Sequence, residues 1–302
     1  MVQELPPVPA DWETVPGTFV RVSGAPRHST LMLHLANHAA VSLPRLAREL
    51  GVPIGDTIQV YLVSSDAEFR AIQPGRPPMW ADATAYPGAG AIFLRAPAAR
   101  GASETALETV LDHELIHILV GRAFAPVDPP SWLQEGIARV YAGEFGPEDA
   151  RVIHGREGGL LGLGELAGNF PRDATRARLA YAQSADFVAW MRNTHGDATV
   201  PALVRALARE QDLDQAVAIA TGVPLPKLER AWLSRLEDGP PAWLRLFETG
   251  EVFFGAGALA LIGAGVTRRR EFKRRMMERE AEEREEEERL ARWDSPRLAR
   301  PI

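Results

Sequence analysis

The chain has 302 residues, 46% of them apolar, enough for one large domain or two smaller ones with a real core. A net charge of −6 argues against a nucleic-acid partner. Cysteine is absent, which excludes disulfides and thiolate-held metals, so any metal site must be built from His, Asp and Glu.

Residues 1–16 read as a polar, Pro-rich lead-in. They carry neither a basic n-region nor an apolar h-region, so no signal peptide is expected. "GTFVRVS" (17–23) alternates as a strand does. Residues 28–50 have a helical pattern that stops at Gly51. "TIQVYLVSS" (57–65) is a second strand, followed by a short helix, "DAEFRAIQ", capped by Asp66. "QPGRPPMW" is a loop, and "ADATAYPGAGAIFLRA" gives two short strands around a Pro-Gly-Ala-Gly turn. A long helix opens at Ser103 and Glu104 and ends near Gly121. After the connector "APVDPP", Ser131 caps the helix "WLQEGIARVYAG". A Gly-rich loop spans 156–169, and helical patterns follow near 175–194, 198–209, 212–221 and 225–237. The fold class expected for a domain at 17–237 is α+β, with a small N-terminal mixed sheet and a helical C-terminal half.

Beyond a linker at 238–250 the composition changes. The uncharged run "VFFGAGALALIGAGVT" (252–267) lies between Glu251 and "RRREFKRR". As a helix it is roughly 24 Å long, a little short of a ~30 Å hydrocarbon layer. Trp243, Leu244, Leu246 and Phe247 supply an interfacial belt upstream, and the arginines can snorkel downstream. The expectation is a single transmembrane helix at 251–267, the alternative a buried Gly/Ala-rich helix. The basic excess on the C-terminal side puts the tail, 268–302, in the cytoplasm and residues 1–250 outside it. The absence of a signal peptide stands against that topology. The tail itself alternates Arg and Glu at i,i+3 and i,i+4 spacings, as a solvated helix does.

"DHELIHILV" (112–120) carries the chemistry. Residues four apart share a helix face, so His113 and His117 can both reach one metal ion. Glu114 follows the first histidine, where a carboxylate can face the same water. Val110, Leu111, Leu115, Ile116, Ile118 and Leu119 surround them, so the helix is buried. Burying two imidazoles and a carboxylate without partners is costly, and a Zn2+ ion would satisfy them. The bland alternative is two core histidines with ordinary hydrogen bonds. A third ligand is needed, and Glu135 leads, because Trp132, Leu133, Ile137 and Val140 give its helix an apolar face and Gly136 permits close helix approach. Glu144, His154 and Asp128 are the other candidates. "HLANH" (34–38) repeats the spacing without a glutamate after the first histidine, as a second metal site or as plain helix residues.

"VLDHELIHILV" followed by "PPSWLQEGIARVYAG" resembles the gluzincin metallopeptidases, and more narrowly the bacterial peptidase MA-like proteins with H-E-x-x-H and then W-L-x-E-G. "LAYAQSADFVAWM" (179–191) is similar to a Tyr-Ala-x-Ser helix of those proteins, and a C-terminal anchor is also familiar there. The resemblance implies a zincin-like catalytic domain with zinc on His113, His117 and Glu135, and Glu114 as general base. It places Tyr181 near the site as a candidate oxyanion donor, the alternative being a core tyrosine with its hydroxyl at the surface; His154 and His195 are rivals. It also suggests the strand at 90–96 as the sheet edge where an extended peptide adds, the alternative being an ordinary packed strand. One position departs: where thermolysin-like gluzincins have an Asp four residues after the ligand Glu, this chain has Arg139. The activity implied is a membrane-anchored zinc peptidase acting on peptide or protein substrates. The alternatives are an inert binding module on the same fold, a structural membrane protein, and a zinc amide or acyl hydrolase.

Overall fold

The computed structural model describes residues 6–237 except 75–80, 102, 104, 157, 172 and 211, together with Gly239. The apolar run at 252–267 and the charged tail lie outside the described residues. Among the described residues, no helix is long and apolar enough to cross a membrane.

Five strands, β1 (Glu13–Pro16), β2 (Val20–Gly24), β3 (Ile58–Val63), β4 (Ala83–Tyr86) and β5 (Ala91–Arg95), form one sheet in the order β1-β2-β3-β5-β4. The three central strands are parallel, with Val22 opposite Val60 and Val60 opposite Ile92. The two outer strands run antiparallel to their neighbours. Alternation divides the side chains between two faces. Val60, Leu62, Ile92 and Leu94 enter the main core, which α1 (Ser29–Leu50) joins with Met32, Leu35, Ala39, Leu43 and Leu46, one stripe at helical spacing. Tyr61 and Phe93 point the other way and stack at 4.8 Å, beside Phe69 of α2 (Asp66–Ile72).

The second half is helical: α3 (Leu107–Phe124), α4 (Ser131–Tyr141), α5 (Pro147–His154), α6 (Ala174–His195), α7 (Thr199–Glu210), α8 (Leu213–Thr221) and α9 (Leu225–Glu237). Helix α3 packs on α1, on edge strand β4 and on α4, and α4 in turn packs on α6. This sequence of contacts places α3 between the sheet edge and the helical half.

Several expectations are corrected. The lead-in contains a strand, β1, pinned by a 2.7 Å Thr14–Ser23 hydroxyl contact. The cap of α2 is Ser65, whose hydroxyl accepts from the Glu68 amide, while Asp66 is the first helical residue. Helix α3 starts at Leu107 and continues past Gly121 to Phe124. Gly121 serves packing there, since a Cβ would meet the Pro87 ring at 2.4 Å. Ser131 is the first residue of α4 and makes no side-chain cap. Helix α5 was not expected; Pro147 opens it, and Asp149 accepts from the Gly146 amide at 2.9 Å. The strand at 90–96 is interior, between β3 and β4, so β4 is the sheet edge.

Candidate active site

Helix α3 is buried along most of its length, and Asp112 and Glu114 are buried with its aliphatic residues. His113 and His117 point to the one side that opens, and their Nε2 atoms lie 3.0 Å apart. Helix α4 supplies the third group. Trp132 and Leu133 are buried, Trp132 meets Phe187 edge-on at 5.2 Å, and the Ser131 and Trp132 amides donate to the carbonyls of Ala167 and Leu166. Burying these two side chains stabilises the helix position by roughly 4–5 kcal/mol. At Gly136 the two helices touch: a Cβ would sit 2.4 Å from the Ser184 carbonyl oxygen of α6. Glu135 is thereby held against α3, with carboxylate oxygens 3.5 Å from His113 Nε2 and 3.7 Å from His117 Nε2.

These spacings test the fit of a metal. Four ligands at the usual ~2.0–2.2 Å from zinc stand about 3.3–3.6 Å apart at the corners of a tetrahedron. The three distances found, 3.0, 3.5 and 3.7 Å, bracket that edge. Among the described residues this is the one group of three side chains so arranged. Two imidazoles and a carboxylate with room for a fourth ligand match a catalytic zinc centre.

Behind His113 stands Glu144, which the sequence offers only as an alternative third ligand later on the helix of Glu135. Helix α4 ends at Tyr141, Gly143 turns with φ +78°, and Glu144 comes back so that its carboxylate is 3.1 Å from His113 Nδ1. Glu144 is thus not on the same helix as Glu135, and it meets the nitrogen that faces away from the triangle. Arg139 braces it, with Nε 3.4 Å from Glu144 and Nη1 2.8 Å from Asp149 at the start of α5. The departure at Arg139 is therefore compensated: the carboxylate behind the histidine comes from the turn after α4, and the arginine holds it.

The electrostatics follow from burial. Glu114, pushed mainly by burial, titrates at about 7 instead of 4.5. Burial lowers His117 to about 4, so it is a neutral imidazole. Burial opposes charge on His113 too, but Glu135 and Glu144 together outweigh it and hold this ring well above 6.5. Burial would raise Glu135; the adjacent imidazoles of His117 and His113 win and lower it. Without metal, the proton sits on His113 between two carboxylates.

A cavity of about 740 Å³ opens on the triangle. Edge strand β4 forms one wall with Ala83, Thr84 and Ala85, and α5 and α6 form another. Tyr181 of α6 lines it, packed edge-on against Phe170 at 4.8 Å. Burial and the charges of Glu135 and Glu114 raise its phenol pKa, so its O–H remains a donor. The next residues explain the rest of this stretch: Gln183 ties down the loop through Leu161, at 3.0 and 3.1 Å, and Ser184 lies under Gly136.

The other candidates stay outside. Asp128 is contacted by Gln134 at 3.4 Å, His154 ends α5, and His195 ends α6 beside Trp190. His34 and His38 do not share a metal-sized cluster; each meets a carboxylate of α3, Glu108 at 2.6 Å and Asp112 at 2.9 Å, and they join α1 to α3.

No curated protein matches the chain. Among solved structures, an M1 zinc metallopeptidase from Deinococcus radiodurans is 19% identical with a TM-score of 0.46, over 74% of this chain and 51% of that one. A single-residue variant of it is 20% identical with a TM-score of 0.45 at the same coverage, and the variant bound to a Tyr-Ser-Ala substrate gives 21% and 0.39. The chain spans about half the length of these structures. The family model for the Peptidase MA superfamily matches residues 38–238, about two thirds of the chain and all of the sheet-edge, α3, α4 and α6 elements just described. The chain belongs to the Peptidase MA superfamily.

Proposed function

We propose that the chain is a zinc-dependent peptidase whose metal is held by His113, His117 and Glu135. The observation that carries this is the convergence of the two Nε2 atoms and the Glu135 carboxylate at 3.0–3.7 Å, with Glu114 buried on the same helix and a cavity in front. When bound, zinc supplies a Lewis acid that acidifies a water molecule and polarises a carbonyl. Glu114 takes the proton of the attacking water and delivers it to the leaving amine nitrogen as the C–N bond breaks. A raised pKa suits both tasks, since the group must accept a proton and then release it near neutral pH. Tyr181 donates its O–H to the oxygen that becomes negative as the carbonyl carbon turns tetrahedral. Strand β4, the sheet edge on the cavity wall, takes an extended peptide as an added strand. Glu144 orients His113, and Arg139 orients Glu144. The uncharged run at 252–267, followed at once by "RRREFKRR", tethers this domain to a membrane with the tail on the cytoplasmic side.

The test is hydrolysis of a pooled set of quenched fluorescent peptides by the zinc-loaded full chain, with Glu114→Gln alongside. Cleavage of at least one peptide is expected, with a loss of at least about 100-fold in the variant at equal zinc content. Bound zinc without cleavage of any peptide would leave a binding module on a peptidase fold.

A further inference from the structure

The cavity wall opposite β4 carries a charge arrangement that the proposed chemistry does not use. Its acidic residues other than Glu148 are committed: Glu144 and Asp149 pair with Arg139. Arg178 is different. It lines the cavity and pairs with Glu148 at 3.4 Å, but Glu148 is shared with Arg151 at 3.1 Å. Two guanidiniums share one carboxylate, so Glu148 does not fully neutralise Arg178. All three side chains are more than 60% exposed, so the pairs are weak and exchangeable.

Position along α6 gives the distance from the chemistry. Ser184 lies under Gly136, next to ligand Glu135; Tyr181 is three residues earlier, and Arg178 three residues before that. Tyr181 and Arg178 both line the cavity, and the rise along α6 from Ser184 to Arg178 is about 9 Å, two to three residues of an extended peptide.

We propose that Arg178 is a substrate-recognition residue, which binds a peptide carboxylate two to three residues from the scissile bond and exchanges Glu148 for it. The carboxylate is either an acidic side chain or the peptide's own C-terminus. Arg178 suits it, because a guanidinium meets a carboxylate with two parallel N–H donors. This inference rests on the peptidase reading.

The experiment has a catalytic and a binding arm, both on the zinc-loaded full chain. Peptides matched except for Glu or Gln at positions two and three from the cut, and for a free or amidated C-terminus, are compared by kcat/KM. The same peptides, fluorescently labelled, are titrated by anisotropy into the Glu114→Gln protein, which reads binding without turnover. The carboxylate form is expected to be favoured roughly five- to tenfold in both arms. Arg178→Gln should abolish the preference, and Glu148→Gln should strengthen it. Arg176→Gln, equal in charge change but not on the cavity wall, should leave it in place. Loss with the Glu peptides assigns a side chain, and loss with the free-acid peptides assigns the C-terminus. A preference that survives Arg178→Gln, or falls equally in Arg176→Gln, overturns the inference. If no peptide is cleaved, the catalytic reading fails, and the binding arm still decides the role of Arg178.

Discussion

Gly136→Ala is the most exacting test of how packing positions the site. The added Cβ would lie 2.4 Å from the Ser184 carbonyl oxygen and 2.6 Å from Val188 Cγ2. Ordinary contact needs about 3.4 Å, so α4 and α6 must separate by about 1 Å. Overpacking against backbone costs about 3 kcal/mol, and the better helix propensity of alanine returns about 1 kcal/mol, a net loss near 2 kcal/mol. Glu135 precedes Gly136 and shifts with it, whereas metal sites tolerate only about 0.2 Å. Zinc affinity should fall at least about tenfold. Urea denaturation of the metal-free protein reads the first effect, and competition with a chromophoric chelator reads the second. A variant with unchanged stability and zinc affinity would refute the claim that this contact places the third ligand.

Other predictions follow from the buried charges and the tether. Glu114 has its folded pKa raised from 4.5 to about 7, so ionising it costs the metal-free fold up to about 3 kcal/mol. That cost is absent below about pH 4.5 and complete above about pH 7. Glu114→Gln should therefore raise the melting temperature of the metal-free protein at pH 8 and leave it nearly unchanged at pH 4.5; equal effects at both would contradict the burial argument. Zinc must displace the His113 proton, so apparent affinity should rise about tenfold per pH unit through neutrality, as chelator competition across a pH series would show. In Glu144→Gln the ring loses one of the carboxylates that hold its proton: the pH dependence should flatten and the affinity at pH 8 fall about 10–100-fold. If 252–267 is an anchor, the full chain should sediment with membranes and be released by detergent but not by alkaline carbonate; release by carbonate would contradict the tether.

Much of the site is legible in the sequence because it depends on local spacing. His113 and His117 share a face by helix periodicity, and Gly136 beside Glu135 signals the close helix contact that the fold contains. Glu144 is not legible in the same way. Its return to His113 depends on a left-handed turn at Gly143 and on the docking of α5, and no periodic pattern encodes either. The order of β4 and β5 is a non-local property, yet a signal existed. "AIFL" is an unbroken apolar run, as a central parallel strand is, whereas "ATAY" interrupts its apolar residues with Thr84, as an edge does. Strand β1 escaped notice because four residues ending in proline carry little alternation, and proline is tolerated only at an edge.

The central claim is a three-ligand zinc site, and metal content by plasma mass spectrometry tests it most directly. Purified wild-type protein, refilled with zinc and freed of excess, is compared with His117→Ala and Glu135→Ala. The account predicts about one zinc per chain in the wild type and its loss or marked weakening in both variants. A wild-type protein that takes up no zinc, or variants that hold it as tightly, would contradict the account.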